Sequence, residues 1–235
     1  FSSVASSYDL MNDLMSAGVH RLWKDRFVSQ LQPFAGMQHL DVAGGTGDIA
    51  FRVLRKIREA EADARTAPQR GSVIVADINA AMLAEGRRRA AVRGLVGDPG
   101  LHWLEADAEC MPCGDASVDA YTIAFGIRNV TNIPAALDEA YRVLRRGGRF
   151  LCLEFSQVTV PGLRDLYEAY SFHVIPEIGR FVANDRDSYQ YLVESIRQFP
   201  PQDTFADMIA DAGFSGVSYE NLTAGVVAIH SGTKL

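Results

Sequence analysis

The stretch LDVAGGTGD, residues 40–48, decides the fold class of this chain. Its first residues belong to a predicted strand that begins at His39, and a helical pattern of apolar residues follows over residues 46–57. Gly44, Gly45 and Gly47 stand between these two patterns. Glycines at a strand-to-helix turn let the backbone approach a ligand closely, and the start of the helix offers free N–H groups. The stretch therefore predicts a strand, a ligand-binding loop and a helix rather than a plain tight turn.

Outward from this loop, apolar runs alternate with helical patterns, which indicates a parallel sheet whose strands are joined by helices. The sequence predicts further strands at residues 73–76, 101–104, 118–123 and 150–155, and helices at residues 79–93 and 135–144, the latter ended by Arg145, Arg146, Gly147 and Gly148. The charged stretch 59–71 predicts a surface connection. A helix at 203–212 precedes two strands, 217–221 and 226–230, which we expect to pair antiparallel.

Composition limits the classes of protein that this chain can belong to. Its 235 residues are 48% hydrophobic and 22% charged, which is enough to bury a core. The net charge of −6 disfavours a general nucleic-acid-binding role. Three cysteines do not make a disulfide framework, and the pair Cys110 and Cys113 lacks further ligands at zinc-site spacing. The chain begins with Phe1 rather than Met, so we expect that something has been trimmed and that any targeting peptide lies outside this sequence.

The spacing of the loop glycines distinguishes between cofactors. GGTGD lacks the third glycine of the dinucleotide pattern GxGxxG, and Asp48 would repel a pyrophosphate. A ligand without phosphates fits better, and S-adenosylmethionine, which carries an amino acid, a ribose and a sulfonium cation, is such a ligand. Asp77 and Asp107 follow the next two strands, where they can accept from ribose hydroxyls and from an adenine amino group. The predicted cofactor site includes Asp41, Gly44, Gly45, Gly47, Asp77, Ile78, Asp107 and Ala108.

The fourth predicted strand ends in TIAFGIRNVT, residues 122–131, and brings further polar groups to the same edge. Gly126 would let the chain pass close to a methyl donor. Arg128 and Asn129 deliver a cation and an amide, and we predict them to be catalytic. The alternative for Arg128 is a purely structural pair with a carboxylate.

Several stretches together resemble one family, the ubiquinone and menaquinone biosynthesis C-methyltransferases, and above all its eukaryotic coenzyme Q branch. The resemblance covers essentially the whole chain. It rests on YDLMND (8–13), HRLWK (20–24), LDVAGGTGD, ADIN (76–79), DAE (107–109), TIAFGIRNVT, RVLRRGGRFLCLEFSQV (142–158), SYQYLVESIRQFP (188–200) and the ending NLTAGVVAIHSGTKL. FGIRNVT together with LEFS and SYQYLVESI is far more specific than GGTGD, which many methyltransferases share.

The resemblance implies a fold and an activity. The fold is the class I S-adenosylmethionine-dependent methyltransferase fold, a Rossmann-like seven-stranded α/β sheet with an antiparallel last strand pair. The implied reaction is C-methylation of 2-methoxy-6-polyprenyl-1,4-benzoquinol, and the implied cofactor contacts fall on Thr46, Asp77, Asp107 and Ala108. For this reaction we predict that Arg128 holds a phenolate or polarises a water that removes the proton, that Asn129 orients either one, and that Tyr8 binds the quinol ring. Demethylmenaquinone methylation and a non-catalytic scaffold of a quinone-biosynthesis complex remain alternatives, and a nicotinamide oxidoreductase is disfavoured by the glycine spacing.

The resemblance also implies a setting for the protein. Family members associate with other coenzyme Q biosynthesis proteins in a multi-subunit complex, as peripheral proteins on the matrix side of the mitochondrial inner membrane, and we expect a homodimer. We expect one domain, residues 1–235, with a helical cover at 1–36, a cofactor-binding core at 37–156, a substrate or interface segment at 157–202, and a final helix and strand pair at 203–235. The apolar residues between 163 and 181 either line a channel for the polyprenyl tail or form core and interface.

Overall fold

The computed structural model describes residues 16, 18–64, 70–159, 162 and 186–235, with only the backbone of 186–189. Tyr8 and the predicted tail segment, 163–181, lie outside the described residues. The predictions made for them therefore stay predictions.

The described strands form one twisted sheet of seven strands in the order β3-β2-β1-β4-β5-β7-β6. Strands β1 to β5 pair parallel, and β7 runs antiparallel to both β5 and β6. Their bounds are β1 Gln38–Val42, β2 Ser72–Asp77, β3 Leu101–Glu105, β4 Val118–Ala124, β5 Leu144–Phe155, β6 Ser215–Leu222 and β7 Val227–Thr233. The strand order reverses beside β1, and this switch point opens a crevice at the carboxyl edge of the sheet.

Helices cover both faces of this sheet. They are α1 His20–Leu31, α2 Asp48–Asp63, α3 Ala80–Val92, α4 Ile133–Val143, α5 Arg186–Gln198 and α6 Gln202–Asp211. The side chain of Asn79 caps α3 by accepting from the backbone N–H groups of Ala81 and Met82, and that of Asn132 caps α4. Among the described residues, none of the helices combines the length and the apolar character needed to cross a membrane.

Two apolar clusters, one on each face, hold the layers together. One packs α4 and α6 on the sheet and includes Phe150 and Phe205, and the other packs α1, α2 and α3 and includes Phe27 and Leu151. The alternation of Phe150 and Leu151 between the clusters is the period of two that a central strand requires.

The predicted strands and helices are confirmed with shifted ends, and two regions differ in kind. Helix α2 runs to Asp63, so the first part of the stretch predicted as a connection is helical. The last core residue of α2 is Ile57, and beyond it Arg58 holds the charged part in place through ion pairs with Glu61 at 2.8 Å and with Asp98 at 2.7 Å. In the second region, helix α4 ends at Val143, and Leu144 already pairs with Val118 of β4. The basic residues that follow belong to β5 rather than to the last helical turn.

Candidate active site at the carboxyl edge of the sheet

A cavity of about 300 Å³ opens at the switch point of the sheet. It is lined by the ends of β1, β2 and β4, the loop after β3 and the start of α2. The predicted residues that line it are Asp41, Gly44, Gly45, Thr46, Asp77, Ile78, Asp107, Ala108, Arg128 and Asn129. Gly47 lies beside it as the residue before α2. The structure thus brings together the residues that sequence analysis selected from four separate strand ends.

The glycines of the first loop lie so close to their neighbours that a side chain at their positions would clash. A Cβ atom at Gly44 would lie 2.7 Å from Cγ1 of Val75 and 2.9 Å from the Asp41 carbonyl oxygen. Gly47 has φ +82°, in the left-handed region that favours glycine. The loop therefore needs these glycines both to pass the sheet closely and to turn into α2.

Asp77 lies in the wall of the cavity. Its two carboxylate oxygens each accept one backbone N–H group, from Gly45 at 2.9 Å and from Asn79 at 2.8 Å. Burial raises the pKa of this carboxyl, while the two N–H groups oppose the shift. The carboxylate is thus fixed in place by the main chain and retains lone pairs for a hydroxyl-bearing ligand.

Asp41 lies deeper, at the floor of the cavity, and only 1% of its surface is exposed. Its Oδ1 accepts from the Thr122 hydroxyl at 2.7 Å. Within the described part of the chain, its Oδ2 has no hydrogen-bond partner. Burial raises the pKa of Asp41 to about 7, although the bond from Thr122 and the nearby backbone N–H of Ala50 at the start of α2 favour the ionised form.

The third acidic residue differs from the first two in its surroundings. Asp107 is exposed, and its side chain accepts from the backbone N–H of Glu109 at 2.9 Å. The neighbouring Ala108 is buried against the core, whereas Ile78 is 69% exposed at the rim. An exposed branched apolar side chain at a cavity rim is suited to cover the flat face of a ring.

The structure corrects the argument made for Asp48. Its carboxylate pairs with Lys24 of α1 at 2.7 Å and also contacts Arg52. These two cations outweigh burial and hold the pKa of Asp48 below its usual value. Because its charge is balanced, Asp48 repels a pyrophosphate less than the sequence implied, and the negative character of the cavity comes from Asp41, Asp77 and Asp107.

Arg128 forms a buried ion pair with Glu154 of β5, at 2.7 Å, so the carboxylate pairing considered for it is present. The same Nη1 atom donates to the carbonyl oxygen of Phe125 at 2.7 Å, and the guanidinium lies over the ring of Phe155. Burial raises the pKa of Glu154 and the charge of Arg128 opposes this. Both of these side-chain hydrogen bonds use Nη1, and Nε is buried without a hydrogen-bond partner among the described residues, so the pair leaves donors of the guanidinium unused beside the cavity.

The backbone around Arg128 is tightly constrained. Ala43 after β1 and Phe125 after β4 both have positive φ, +50° and +56°. A Cβ atom on Gly126 would collide with the Cβ of Ala43. Asn129 follows in a short 3-10 turn, and its Oδ1 accepts from the Tyr191 hydroxyl of α5 at 3.3 Å. Strained residues at adjacent strand ends are typical of binding and catalytic sites.

Sequence reasoning missed three residues of this site. Glu154 was detectable as a single acid in the apolar run FLCLEF, and Lys24 lies within the quoted stretch HRLWK. Thr122 was quoted only as the start of TIAFGIRNVT, and its role depends on pairing directly opposite Asp41 in the sheet. Sheet register of that kind is not visible in one sequence.

Fold and site together define a class I methyltransferase. Solved structures of that class are similar over nearly the whole chain at low identity. A Thermotoga maritima structure described as a SAM-dependent methyltransferase, possible histamine N-methyltransferase, has a TM-score of 0.66 at 18% identity and covers 100% of this chain and 98% of its own. One from Aquifex aeolicus has a TM-score of 0.60 at 14% identity, with coverages of 90% and 89%.

Sequence comparison then gives the family. The model of the ubiE/COQ5 methyltransferase family matches residues 1–234, and the chain belongs to this family. A relative from Arabidopsis thaliana, named 2-methoxy-6-polyprenyl-1,4-benzoquinol methylase, mitochondrial, is 60% identical over 100% of this chain and 83% of its own length. The Dinoroseobacter shibae ubiquinone/menaquinone biosynthesis C-methyltransferase UbiE is 58% identical, with coverages of 100% and 89%. The predicted fold class and family are thereby confirmed.

Proposed function

We propose that this protein transfers a methyl group from S-adenosylmethionine to a ring carbon of a 2-methoxy-6-polyprenyl-1,4-benzoquinol in ubiquinone biosynthesis. The observation that carries the proposal is that one cavity holds both a set of carboxylates suited to a cationic ligand and a buried arginine with an unused donor. Whole-chain relatives at 52–60% identity, named as benzoquinol methylases, support the choice of substrate.

The residues of the cavity fit the proposed cofactor. Gly44 and Gly45 leave space for a ligand against the backbone, and Asp77 offers fixed acceptors for ribose hydroxyls. Asp41 and Asp107 add negative charge, while Ile78 and Ala108 offer apolar surface for an adenine ring. We assign Thr46 and Gly47 to the same site at the amino end of α2. When bound, S-adenosylmethionine supplies an electrophilic methyl group on a sulfonium.

Arg128 and Asn129 are proposed to act on the quinol. A ring carbon is a weak nucleophile until a neighbouring hydroxyl ionises, and a phenol has a pKa near 10. A guanidinium offers N–H donors and no acceptor, so Arg128 serves as a donor that stabilises the phenolate rather than as a free base. Asn129, held by Tyr191, would orient the same oxygen. Tyr8 is proposed as a further contact to the quinol ring.

The wider setting follows from the family. Relatives from plants, a slime mould and mammals carry mitochondrial in their names, which supports a mitochondrial location for this protein. We further propose a single methyltransferase domain over residues 1–235, which acts as a homodimer on the matrix side of the inner membrane. It would work there together with other coenzyme Q biosynthesis proteins, with residues 157–202 at the substrate or at an interface.

A second candidate substrate is demethylmenaquinol. The bacterial relatives at 55–58% identity have names that include menaquinone as well as ubiquinone biosynthesis. The chemistry of ring methylation is the same for both quinols, so the described cavity suits either ring.

A methyl-transfer assay tests the proposal. The purified chain is incubated with S-adenosylmethionine and with short-tailed forms of the benzoquinol and of demethylmenaquinol, each kept reduced, and methylated product is measured by mass. We expect turnover of the benzoquinol. Exclusive turnover of demethylmenaquinol would favour the second candidate, and cofactor binding without turnover of either quinol would favour a scaffold role.

A further inference from the structure

Three aromatic side chains, Trp23 of α1, Phe125 after β4 and Phe155 at the end of β5, form a row that ends beside Arg128. The ring centroids of Trp23 and Phe125 are 6.4 Å apart, and those of Phe125 and Phe155 are 5.0 Å apart. The guanidinium of Arg128 lies over the last ring, with Cζ 5.5 Å from the centroid of Phe155. These spacings are typical of favourable contacts between rings and between a cation and a ring, so the row is continuous up to Arg128.

Phe125 is the member of the row that lines the cavity, and its side chain is only partly buried. Its backbone is strained, with φ +56° at a residue other than glycine. Two hydrogen bonds fix this backbone, since its N–H donates to the Leu153 carbonyl oxygen at 2.8 Å and its own carbonyl accepts from Nη1 of Arg128 at 2.7 Å. Strain of this kind persists where the surrounding structure enforces it, and it is concentrated at functional sites.

The ring of Trp23 supports Phe125 from the side of α1. Trp23 is 6% exposed, and its Nε1 donates to the Thr223 hydroxyl oxygen at 2.8 Å. Thr223 lies in the turn between β6 and β7 and has a positive φ of +49°. A buried indole with its N–H satisfied is fixed in orientation as well as in place. Helix α1 and the last turn of the sheet therefore together set the ring of Trp23 against Phe125.

The place of Phe125 in the cavity indicates which part of the bound ligands it contacts. Ile78 and Ala108, which are assigned to the adenine ring, lie at the ends of β2 and β3. Phe125 lies at the end of β4, and its carbonyl is bonded to the guanidinium of Arg128. A flat ring in contact with Phe125 therefore lies next to Arg128 and away from the adenine side. The proposed reaction has one further aromatic ring, that of the acceptor.

We propose that Phe125 is a specificity-determining residue whose ring contacts the quinol ring and keeps it beside Arg128. Trp23 is a positioning residue that acts through Phe125, and Thr223 orients Trp23. This inference rests on the proposed function, because it needs an aromatic acceptor. It adds residues from three distant segments of the chain to the acceptor side of the cavity.

The experiment measures initial rates of methyl transfer to a short-tailed form of the benzoquinol, kept reduced, at saturating S-adenosylmethionine. Phe125→Leu keeps an apolar side chain and removes the ring. We expect KM for the quinol to rise roughly 3- to 12-fold, which corresponds to the loss of a ring-to-ring contact. The turnover number should stay within about threefold, because a contact made equally before and during the reaction affects KM. Phe125→Tyr keeps the ring, and its KM should stay within about twofold of the wild type.

Two further variants separate this role from a general loss of stability. Phe214→Leu is the matched control, since Phe214 is a buried aromatic residue of the other apolar cluster and lies outside the residues that line the cavity. Its KM should equal that of the wild type. Phe125→Met removes the ring with a flexible side chain and gives the same test if Phe125→Leu does not fold. Calorimetry with S-adenosylhomocysteine should show cofactor affinity within about twofold of the wild type in every folded variant.

A double-mutant cycle tests the role of Trp23. Trp23→Leu alone should raise KM for the quinol in the same direction as Phe125→Leu, and Thr223→Val should do so to a smaller extent. Combined with Phe125→Leu, Trp23→Leu should raise KM no further, because its support has nothing left to act on. Fully additive effects would overturn the positioning role.

The outcomes also distinguish this inference from the function on which it rests. An unchanged KM in Phe125→Leu or Phe125→Met, an equal rise in Phe125→Tyr, or an equal rise in Phe214→Leu would overturn the inference alone. A wild-type protein that binds S-adenosylhomocysteine but methylates neither the benzoquinol nor demethylmenaquinol would overturn the proposed function with it.

Discussion

The two sides of the cavity differ in how their charged side chains are paired. On the side of β1 and β2, Asp41 and Asp77 are held by a hydroxyl and by backbone N–H groups, and no cation pairs with them among the described residues. On the side of β4 and β5, Arg128 is neutralised by Glu154 at 2.7 Å in a buried pair. The first side therefore keeps its negative charge for a ligand, and the second keeps a rigid donor without a net charge.

This difference fits the two ligands proposed for the cavity. A cationic cofactor is attracted by carboxylates that the protein has left unpaired. A quinol arrives neutral and becomes negative only during the reaction, so a preorganised donor serves it better than a strong resting charge.

The largest effect is expected from Arg128→Ala. We expect the rate of methyl transfer to fall at least ~100-fold, because the donor for the phenolate is lost. Binding of S-adenosylhomocysteine should stay within about twofold, since the other side of the cavity is intact. Fold stability should also fall by about 3 to 5 kcal/mol, because Glu154 is left buried and unpaired. Stopped assays, calorimetry and denaturant unfolding measure the three quantities.

A double variant separates catalysis from folding. Arg128→Met combined with Glu154→Gln removes both charges, and we expect it to be more stable than Arg128→Ala because no unpaired charge remains. Turnover should stay low in this variant. A well-folded double variant with turnover near the wild type would contradict the role assigned to Arg128.

Asp41→Asn tests the cost of the unpaired acid. The folded-state pKa of Asp41 is raised from 3.8 to about 7, so the folded protein binds more protons than the unfolded chain between these values. Wild-type stability therefore falls as pH rises from 4 to 7, by about 4 kcal/mol from this group alone. Asparagine does not titrate, so Asp41→Asn should gain on the wild type by that order over the same range. Urea unfolding at several pH values would show a constant difference if the assignment were wrong.

Asp77→Ala should weaken cofactor binding by roughly 10- to 100-fold, the range expected for losing hydrogen bonds to a charged group. The backbone of Gly45 also loses the acceptor that fixes it. Asp138→Ala is the control, since Asp138 is an exposed acid on α4 outside the cavity. Equal affinities of the two variants, measured by calorimetry, would remove Asp77 from the site.

The smallest effect, on stability, is expected at the contact between Ala43 after β1 and Gly126 after β4. Ala43→Gly should raise stability by at most ~1 kcal/mol, because the left-handed strain at φ +50° is relieved while the unfolded chain becomes more flexible. Gly126→Ala should lower stability by roughly 1 to 3 kcal/mol, because its Cβ collides with that of Ala43. The double variant should recover most of this loss in thermal unfolding, and simple additivity would deny that the two loops are in contact.

Much of the fold could be predicted from the sequence. The strands and helices between His39 and Phe155 follow from apolar periodicity and from glycines and caps, and the structure confirms them with shifted ends. The exceptions are the longer α2 and the strand that begins directly at Leu144. In the first place, ion pairs of Arg58 with Glu61 and with Asp98 support the charged turns, and in the second, pairing of Leu144 with Val118 outweighed the local signal of glycine.

Most of the candidate site was also predictable, since polar residues after parallel strands meet at one edge. The partners of those residues were not. Lys24 reaches Asp48 from a preceding helix, Thr122 meets Asp41 through sheet register, and Glu154 meets Arg128 across β4 and β5. Each of these contacts joins residues 24 to 81 positions apart, so no spacing rule along the chain could have found them.

The amino-acid sequence by itself determined the family, the order of strands and helices, and the residue types at the edge of the sheet, because these depend on local pattern and on motifs. Only the tertiary structure decided which charges are paired and which remain available. Burial and neighbouring groups set that choice, and they come into being only when distant segments pack together.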